Sequence, residues 1–176
     1  MPDQPAIIEN IKTLFQREDI PAKSILVREG QLSRKLCYIE KGLARIFFCQ
    51  DGRDITFQFL AEGQFIASFE SLLNNEPSWY SIETLEPVTV YSISVVSFRK
   101  KMDLFPHVKE FYNQYLLERL LCYQKLFIAR IKDNPEKRYR DLREQSPEII
   151  LRVPQHYIAS YLGITSVSLS RIRNRK

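Results

Sequence analysis

Histidine is nearly absent from this 176-residue chain, which carries only His107 and His156. They stand far apart, both in stretches that read as helical. A β-rich metalloenzyme gathers several histidines at one centre, and two scattered ones cannot form it. Cysteine is almost as rare. Cys37, Cys49 and Cys122 are odd in number, widely spaced and without a CxxC pair. That excludes a disulfide framework and a four-thiolate iron–sulfur centre. The cysteines read as small residues in a reducing compartment. The sequence has no run of about 18 apolar residues, so no membrane span is expected. Its opening, MPDQPAIIENIKTLFQRED, carries acids early and lacks the apolar stretch of a secretory signal. The expected location is the cytoplasm. GxSxG, P-loop and GxGxxG patterns are also missing, so an enzyme is not expected, and neither is a metal or a cofactor.

One further absence is local. From Asp54 to Phe98 the sequence contains no lysine or arginine, although Asp54, Glu62, Glu70, Glu76, Glu83 and Glu86 are acidic. A phosphate buried there would find no cation within the segment.

What is present is ordinary in amount and uneven in placement. Hydrophobic residues make up 44% and charged residues 27%, as in a globular protein. The net charge is +5, but residues 1–127 hold 15 Lys+Arg against 16 Asp+Glu, and residues 128–176 hold 11 against 5. The positive excess therefore lies in the last quarter. A nucleic-acid-binding end produces this asymmetry, and so does a solvated basic face.

Hydrophobic periodicity divides the chain. Residues 5–17 place Ile8, Ile11, Leu14 and Phe15 at helical spacing. From about Ile25 to Phe98, short β-rich segments alternate with turns at Gly30, Gly42, Asp51-Gly52 and Gly63, the pattern of a barrel or jelly roll. CQDGRD is a hairpin signal by itself. From Phe105 the pattern is helical. Over about 106–132, Leu117, Leu120, Gln124, Phe127 and Ile131 form one stripe, and Leu116, Leu121, Tyr123 and Ile128 form another. A helix apolar on two sides needs two partners: its own barrel and the same helix of a second copy. The alternative is burial within one monomer. Asn134 and Pro135 then supply a cap and a first helical residue, which sets the expected boundary between 1–132 and 133–176.

The last twenty residues, YIASYLGITSVSLSRIRNRK, carry the most specific pattern. Ile158 and Leu162 share one helical face. Ala159 is small where a second helix must approach. Gly163 occupies a turn, Ile164 plugs it, and Thr165 is placed to cap the next helix. Leu169 and Ile172 point back. These offsets predict a helix-turn-helix. The outer face of its second helix carries Ser166, Val167, Ser170, Arg171 and Asn174. Arginine can read guanine in the major groove, and Arg173, Arg175 and Lys176 add charge that does not discriminate sequence. With Thr165 and Ser168, these residues form the expected DNA-binding set.

REGQLSRKLCYIEKGLARIFF, DITFQFLAEGQFIASFESLL and the terminal KRYRDLREQSPEIILRVPQHYIASYLGITSVSLSRIR together resemble the Crp/Fnr family of bacterial transcription regulators, and the last of them resembles short members from Bacteroidetes. The resemblance implies an α+β chain: a cyclic-nucleotide-binding-type jelly roll, a long dimerisation helix and a C-terminal helix-turn-helix. It implies double-stranded DNA, a second copy of the chain and RNA polymerase as partners. It also marks the ligand cassette as Gly63, Gln64, Phe65, Ser78, Trp79, Tyr80 and Ser81. Two departures matter there. The family has Gly-Glu where Gly63-Gln64 stands, and arginine where Ser78 stands. Cyclic AMP is therefore not the expected ligand. An apolar or aromatic effector, or none, is expected instead among Phe57, Phe59, Phe65, Phe69, Trp79 and Tyr80. At the DNA end, Val167 replaces a residue that is usually polar, Arg171 matches the terminal recognition arginine, and a β-hairpin wing after this helix is not expected. The rival reading is an effector-binding or oligomerisation protein whose helix-turn-helix is vestigial.

Overall fold

The structure is a computed structural model and describes residues 12–174. Two antiparallel sheets of four strands each form its first half. Strands β1 (Gln16–Ile20), β3 (Lys35–Lys41), β6 (Phe65–Ile66) and β8 (Val88–Ser94) make one sheet, in the order β1-β8-β3-β6. Strands β2 (Ile25–Val27), β4 (Ala44–Gln50), β5 (Arg53–Leu60) and β7 (Ser81–Thr84) make the other, in the order β2-β7-β4-β5. Val27, Ile46, Leu60 and Ile82 from one sheet meet Cys37, Ile39, Ile66, Val88 and Val90 from the other in a single buried cluster. A fully buried aliphatic side chain contributes about 1.5–3 kcal/mol, so this cluster is a principal source of stability. Cys37 belongs to it, and burial pushes its thiol up to about 12, which keeps the sulfur protonated and unreactive.

The β4–β5 hairpin turns on Asp51 and Gly52, with φ of 52° and 73°. Two successive positive φ values match the right-handed twist of the strands on either side. The sequence signal CQDGRD is thus read as expected.

Two sequence expectations fail at element boundaries. The helix expected over 5–17 lies outside the described residues for its first part. Residues 12–14 are helical, but the chain is already a strand at Gln16, where Gln16 pairs with Ser92. Sheet pairing overrides the helical spacing there. At the other end, Val95-Val96-Ser97-Phe98 continues a β-like composition but is helical. Helix α1 (Val95–Leu104) starts because the Ser94 hydroxyl accepts from the Ser97 N–H at 3.0 Å. The helical half of the chain therefore begins ten residues earlier than Phe105.

Helix α2 (Pro106–Lys132) runs for 27 residues, with proline at its start. Tyr112 buries its ring with Leu36, Ala67, Leu72, Ile93 and Phe98, seating α2 on the first sheet. Helix α3 (Pro135–Gln145) follows. Asn134 caps it by accepting from the Lys137 N–H at 2.9 Å, and Pro135 opens it. Helix α4 (Pro147–Arg152) leads to α5 (Gln155–Leu162) and α6 (Ser166–Asn174).

Candidate functional site

The C-terminal helices pack around Tyr139, Ile149, Val153, Ile158, Ala159, Leu162 and Leu169, all buried. Ala159 lies within this cluster, where a larger side chain would hold α5 and α6 apart. Gly163 ends α5 with φ 69° and ψ 35°, a left-handed conformation that costs glycine little. Thr165 caps α6: its hydroxyl oxygen accepts from the Ser168 N–H at 3.1 Å. Ile164 and Ile172 pack partly buried against the same cluster. The side chains of Ser166, Val167, Ser170, Arg171, Arg173 and Asn174 are exposed, Val167 to 62%, while Ser168 is half-buried beside the Thr165 hydroxyl. Thus α6 presents a polar, cationic face with one apolar residue in its first turn. Arg175 and Lys176 lie outside the described residues.

Two arginines hold the turn from behind. Arg130, near the end of α2, donates to the Tyr161 carbonyl. Arg138 of α3 donates from Nη2 to the Leu162 carbonyl at 2.7 Å, and from Nη1 to the Asp133 carbonyl at 2.8 Å. The Tyr161 and Leu162 carbonyls end α5 and have no partner within it, so a cation there satisfies both hydrogen bonding and the helix dipole, while the Asp133 carbonyl lies at the C-cap of α2. The position of α6 is thereby tied to the end of the long helix.

Helix α5 also docks on the edge strand β5. The Thr56 N–H donates to Ser160 Oγ at 3.0 Å, and that hydroxyl donates to the Asp54 carbonyl at 3.2 Å. Behind this contact Arg45 is buried and fully engaged. It donates to Glu83 at 2.8 Å and Asp54 at 2.6 Å, and its guanidinium lies between the rings of Phe47 and Tyr157, at 3.8 and 4.1 Å from their centroids. Arg152, at the end of α4, bridges Glu62 and Glu86. Apart from Phe47, two residues along the same strand, these partners are distant from their arginines in sequence, so spacing rules give no signal for them.

On α2, Leu117, Leu120, Phe127 and Ile131 are 62–73% exposed, and Gln124 is exposed among them. The second expected stripe is corrected in part. Leu121 and Ile128 do not bury against the sheets; they are exposed and widen the first stripe. The face turned inward carries Tyr112, Tyr115, Leu116 and Arg119. Tyr115 accepts from the Phe65 N–H at 3.0 Å and stacks edge-on against its ring.

The polar groups of the expected ligand cassette are mostly hydrogen-bonded within the roll. Gly63 lies in a turn, and Gln64 accepts from the Ala61 N–H at 3.2 Å. Ser78 is buried and donates to the Tyr80 carbonyl at 2.8 Å. Tyr80 donates to the Ala67 carbonyl at 3.1 Å, and burial pushes its phenol up. The Ser81 hydroxyl accepts from the Glu29 N–H at 3.0 Å, and Phe65 packs among Tyr38, Phe111 and Tyr115. Trp79 points away, 71% exposed, and so cannot line an interior pocket. The side chains of Gln64, Ser78, Tyr80 and Ser81 are thus engaged by backbone groups of Ala61, Tyr80, Ala67 and Glu29. Cations from outside the cation-free segment lie beside it: Arg99 donates to the Leu72 and Leu73 carbonyls, and Arg119 of α2 borders a cleft with Phe57, Gln58 and Phe59 of β5.

Among the described residues, no group of three or more His, Cys, Asp or Glu side chains could hold a metal, and no helix is long and apolar enough to cross a membrane.

No curated protein sequence matches the chain. Solved structures share its architecture. The c-di-GMP-responsive global regulator CLP of Xanthomonas campestris aligns with a TM-score of 0.76 at 18% identity, over 96% of this chain and 89% of that one. FixK2 of Bradyrhizobium japonicum gives 0.79 at 14% identity, over 90% and 82%. The catabolite activator protein of Thermus thermophilus gives 0.58 at 20% identity, over 96% and 81%. At such identities the likeness shows the fold alone, two antiparallel sheets followed by helices. The sequence itself matches the cyclic nucleotide-binding domain over residues 17–104, the two sheets and α1, and the chain belongs to that family.

Proposed function

We propose that the protein is a dimeric DNA-binding transcription regulator in which the roll of β-strands governs a C-terminal helix-turn-helix. The observation that carries this reading is the α5–Gly163–α6 pair, with its cationic outer face free and its inner face buried. Helix α6 enters the major groove and α5 crosses the backbone above it. Arg171 reads a base, while Arg173 and Asn174, with Arg175 beyond the described residues, contact phosphates. Thr165, Ser166, Val167, Ser168 and Ser170 line the start of the groove contact, and Val167 meets a thymine methyl.

The exposed stripe on α2 supports the dimer. Leucines and a phenylalanine in contiguous exposure on one helix face are covered when two copies pair along it. Two α6 helices related by a twofold axis then meet half-sites about 10 base pairs apart. The excess positive charge of residues 128–176 supports the same reading, as do the regulator neighbours. RNA polymerase is the further partner that this function implies, and the cytoplasm is where it acts. Cyclic AMP is not the effector in this reading, because Ser78 stands where the family has arginine and is engaged internally.

Fluorescence anisotropy with genomically selected duplexes and scrambled controls tests the proposal. A regulator binds its selected duplex at least about a thousandfold more tightly than the scrambled one at moderate salt. Equal, weak binding to both overturns it.

A further inference from the structure

We propose that the cleft between β5, α2 and α3 binds a small aromatic carboxylate bearing a hydrogen-bond donor, held by Arg119 and Gln58. This deepens the regulator reading and rests on it for its biological role, by naming the class of effector.

The cleft encloses about 670 Å³, within the range of small-molecule sites. Arg119 projects into it and is only 9% exposed. Its Nη2 has no hydrogen-bond partner, and among the described residues no carboxylate pairs with it. The rest of the guanidinium is held by Tyr123, through a hydrogen bond to its side chain and the ring 5.0 Å away, with Tyr115 and Cys122 nearby. Gln58, on β5, is 5% exposed, and its Oε1 is also unpartnered. Buried polar groups are almost always satisfied, and a buried cation without a counter-charge is especially costly. A donor on α2 and an acceptor on β5, both without protein partners and both from residues that border one cavity, define a ligand with the complementary pair. It carries an anionic group for Arg119 and an N–H or O–H for Gln58.

The remaining walls set the body and the charge. Phe57, Phe59, Tyr123 and Leu126 suit a flat aromatic ring. Charge around the cleft is mixed: Arg130 and Arg138 already donate to backbone carbonyls, Lys125 is exposed at its border, and Asp141 and Glu148 oppose a second negative group. A single carboxylate matches one guanidinium, whereas a buried phosphate is ordinarily met by several converging N–H donors. Of the cassette residues discussed above, only Gln64 borders the cleft. Because β5, α2, α3 and Tyr161 of α5 all border it, an occupant touches the roll, the long helix and the base of the turn at once.

Calorimetry on the full chain, without DNA, tests the site with 4-hydroxybenzoate, 6-hydroxy-2-naphthoate, their methyl esters, benzoate and cyclic AMP. At least one hydroxy acid binds saturably, one per chain, with a dissociation constant below about 1 mM. Its ester binds at least about tenfold more weakly, and Arg119→Met loses a similar factor. Gln58→Leu brings 4-hydroxybenzoate down to the level of benzoate. A second readout leaves both polar residues in place. In a Cys49→Ser chain, the bound acid slows alkylation of Cys122, which borders the cleft, by N-ethylmaleimide. Absence of saturable binding by both acids overturns the proposal. So does equal affinity for acid and ester, or tighter binding of cyclic AMP than of either acid. DNA titration of the ligand-free chain separately reports on the regulator reading, so the two failures are distinguishable.

Discussion

Arg152 and Glu62, 90 positions apart in sequence, are joined by two hydrogen bonds of 2.8 and 3.1 Å. The guanidinium holds the Glu62 carboxyl down at about 2, well below its ordinary 4.5, and the Gly42 N–H adds to the effect. A depressed carboxyl favours the folded state above its unfolded pKa, and that contribution is lost as pH falls through the folded one. The bridge therefore weakens progressively between about pH 4.5 and 2. Melting curves across this window should show a steeper acid loss in the native chain than in Arg152→Met, whose Glu62 titrates nearer its ordinary range. Parallel pH profiles count against a stabilising role for the bridge.

The α2 stripe predicts the quaternary state. Leu120→Glu and Phe127→Glu should each yield a monomer by light scattering, because a dimer would have to bury an unpaired carboxylate at the seam. Tight DNA binding should fall with dimerisation, since each half-site then binds alone. A dimeric double variant removes this helix from the interface.

Arg171→Ala should cost about 1–3 kcal/mol on the preferred duplex and relax selectivity at one base position. Arg173→Ala should weaken all duplexes alike and lower the salt slope by about one. Titrations at two salt concentrations separate these outcomes. A uniform loss for Arg171→Ala makes that arginine a phosphate contact.

Gly163→Val places a β-branched residue at φ 69°, which costs about 1–3 kcal/mol. An added Cβ would sit 3.6 Å from Arg130 Nη1, an ordinary contact, so the cost comes from the backbone conformation. A lower melting temperature together with lost DNA binding is expected. Gly163→Ala should lie between the two.

Cyclic AMP and cyclic GMP should give no calorimetric binding below about 1 mM. In the roll, Ser78, Tyr80 and Ser81 are already committed to Tyr80, Ala67 and Glu29. Micromolar binding of either nucleotide contradicts the assignment of that cassette as degenerate.

The features legible in the sequence are those whose physics is local. Asp51-Gly52 needs only its own dihedral preferences to mark a hairpin, Asn134-Pro135 only a side chain three residues from its partner, and Gly163 only a positive φ. The Ile158, Leu162 and Leu169 spacing followed from one helical period. Where partners come from afar, sequence spacing is silent. Nothing near Arg119 marks it for burial over β5, and nothing near Arg45 reveals that it lies against Tyr157. Nothing in the sequence around Ser160 marks its hydroxyl, which meets the Thr56 N–H on the edge strand. Val95 and Val96 misled for a different reason: β-branched residues favour strands, but a serine cap immediately before them fixes a helix.

Leu43, in the short link between β3 and β4, is fully buried, and it is buried among Tyr139, Ile149 and Leu162 rather than between the sheets. Its carbonyl also accepts from the Leu85 N–H at 2.8 Å, which fixes the link to the second sheet. One residue of the roll is therefore part of the hydrophobic interior of the C-terminal helices. Cooperativity follows from this. Melting the helices uncovers Leu43, and loosening the β3–β4 link opens a hole among the helices, so the two halves share an unfolding transition. Amide exchange in α5 should thus report on the β3–β4 link, and a fragment beginning at Pro135 should lack a piece of its own interior.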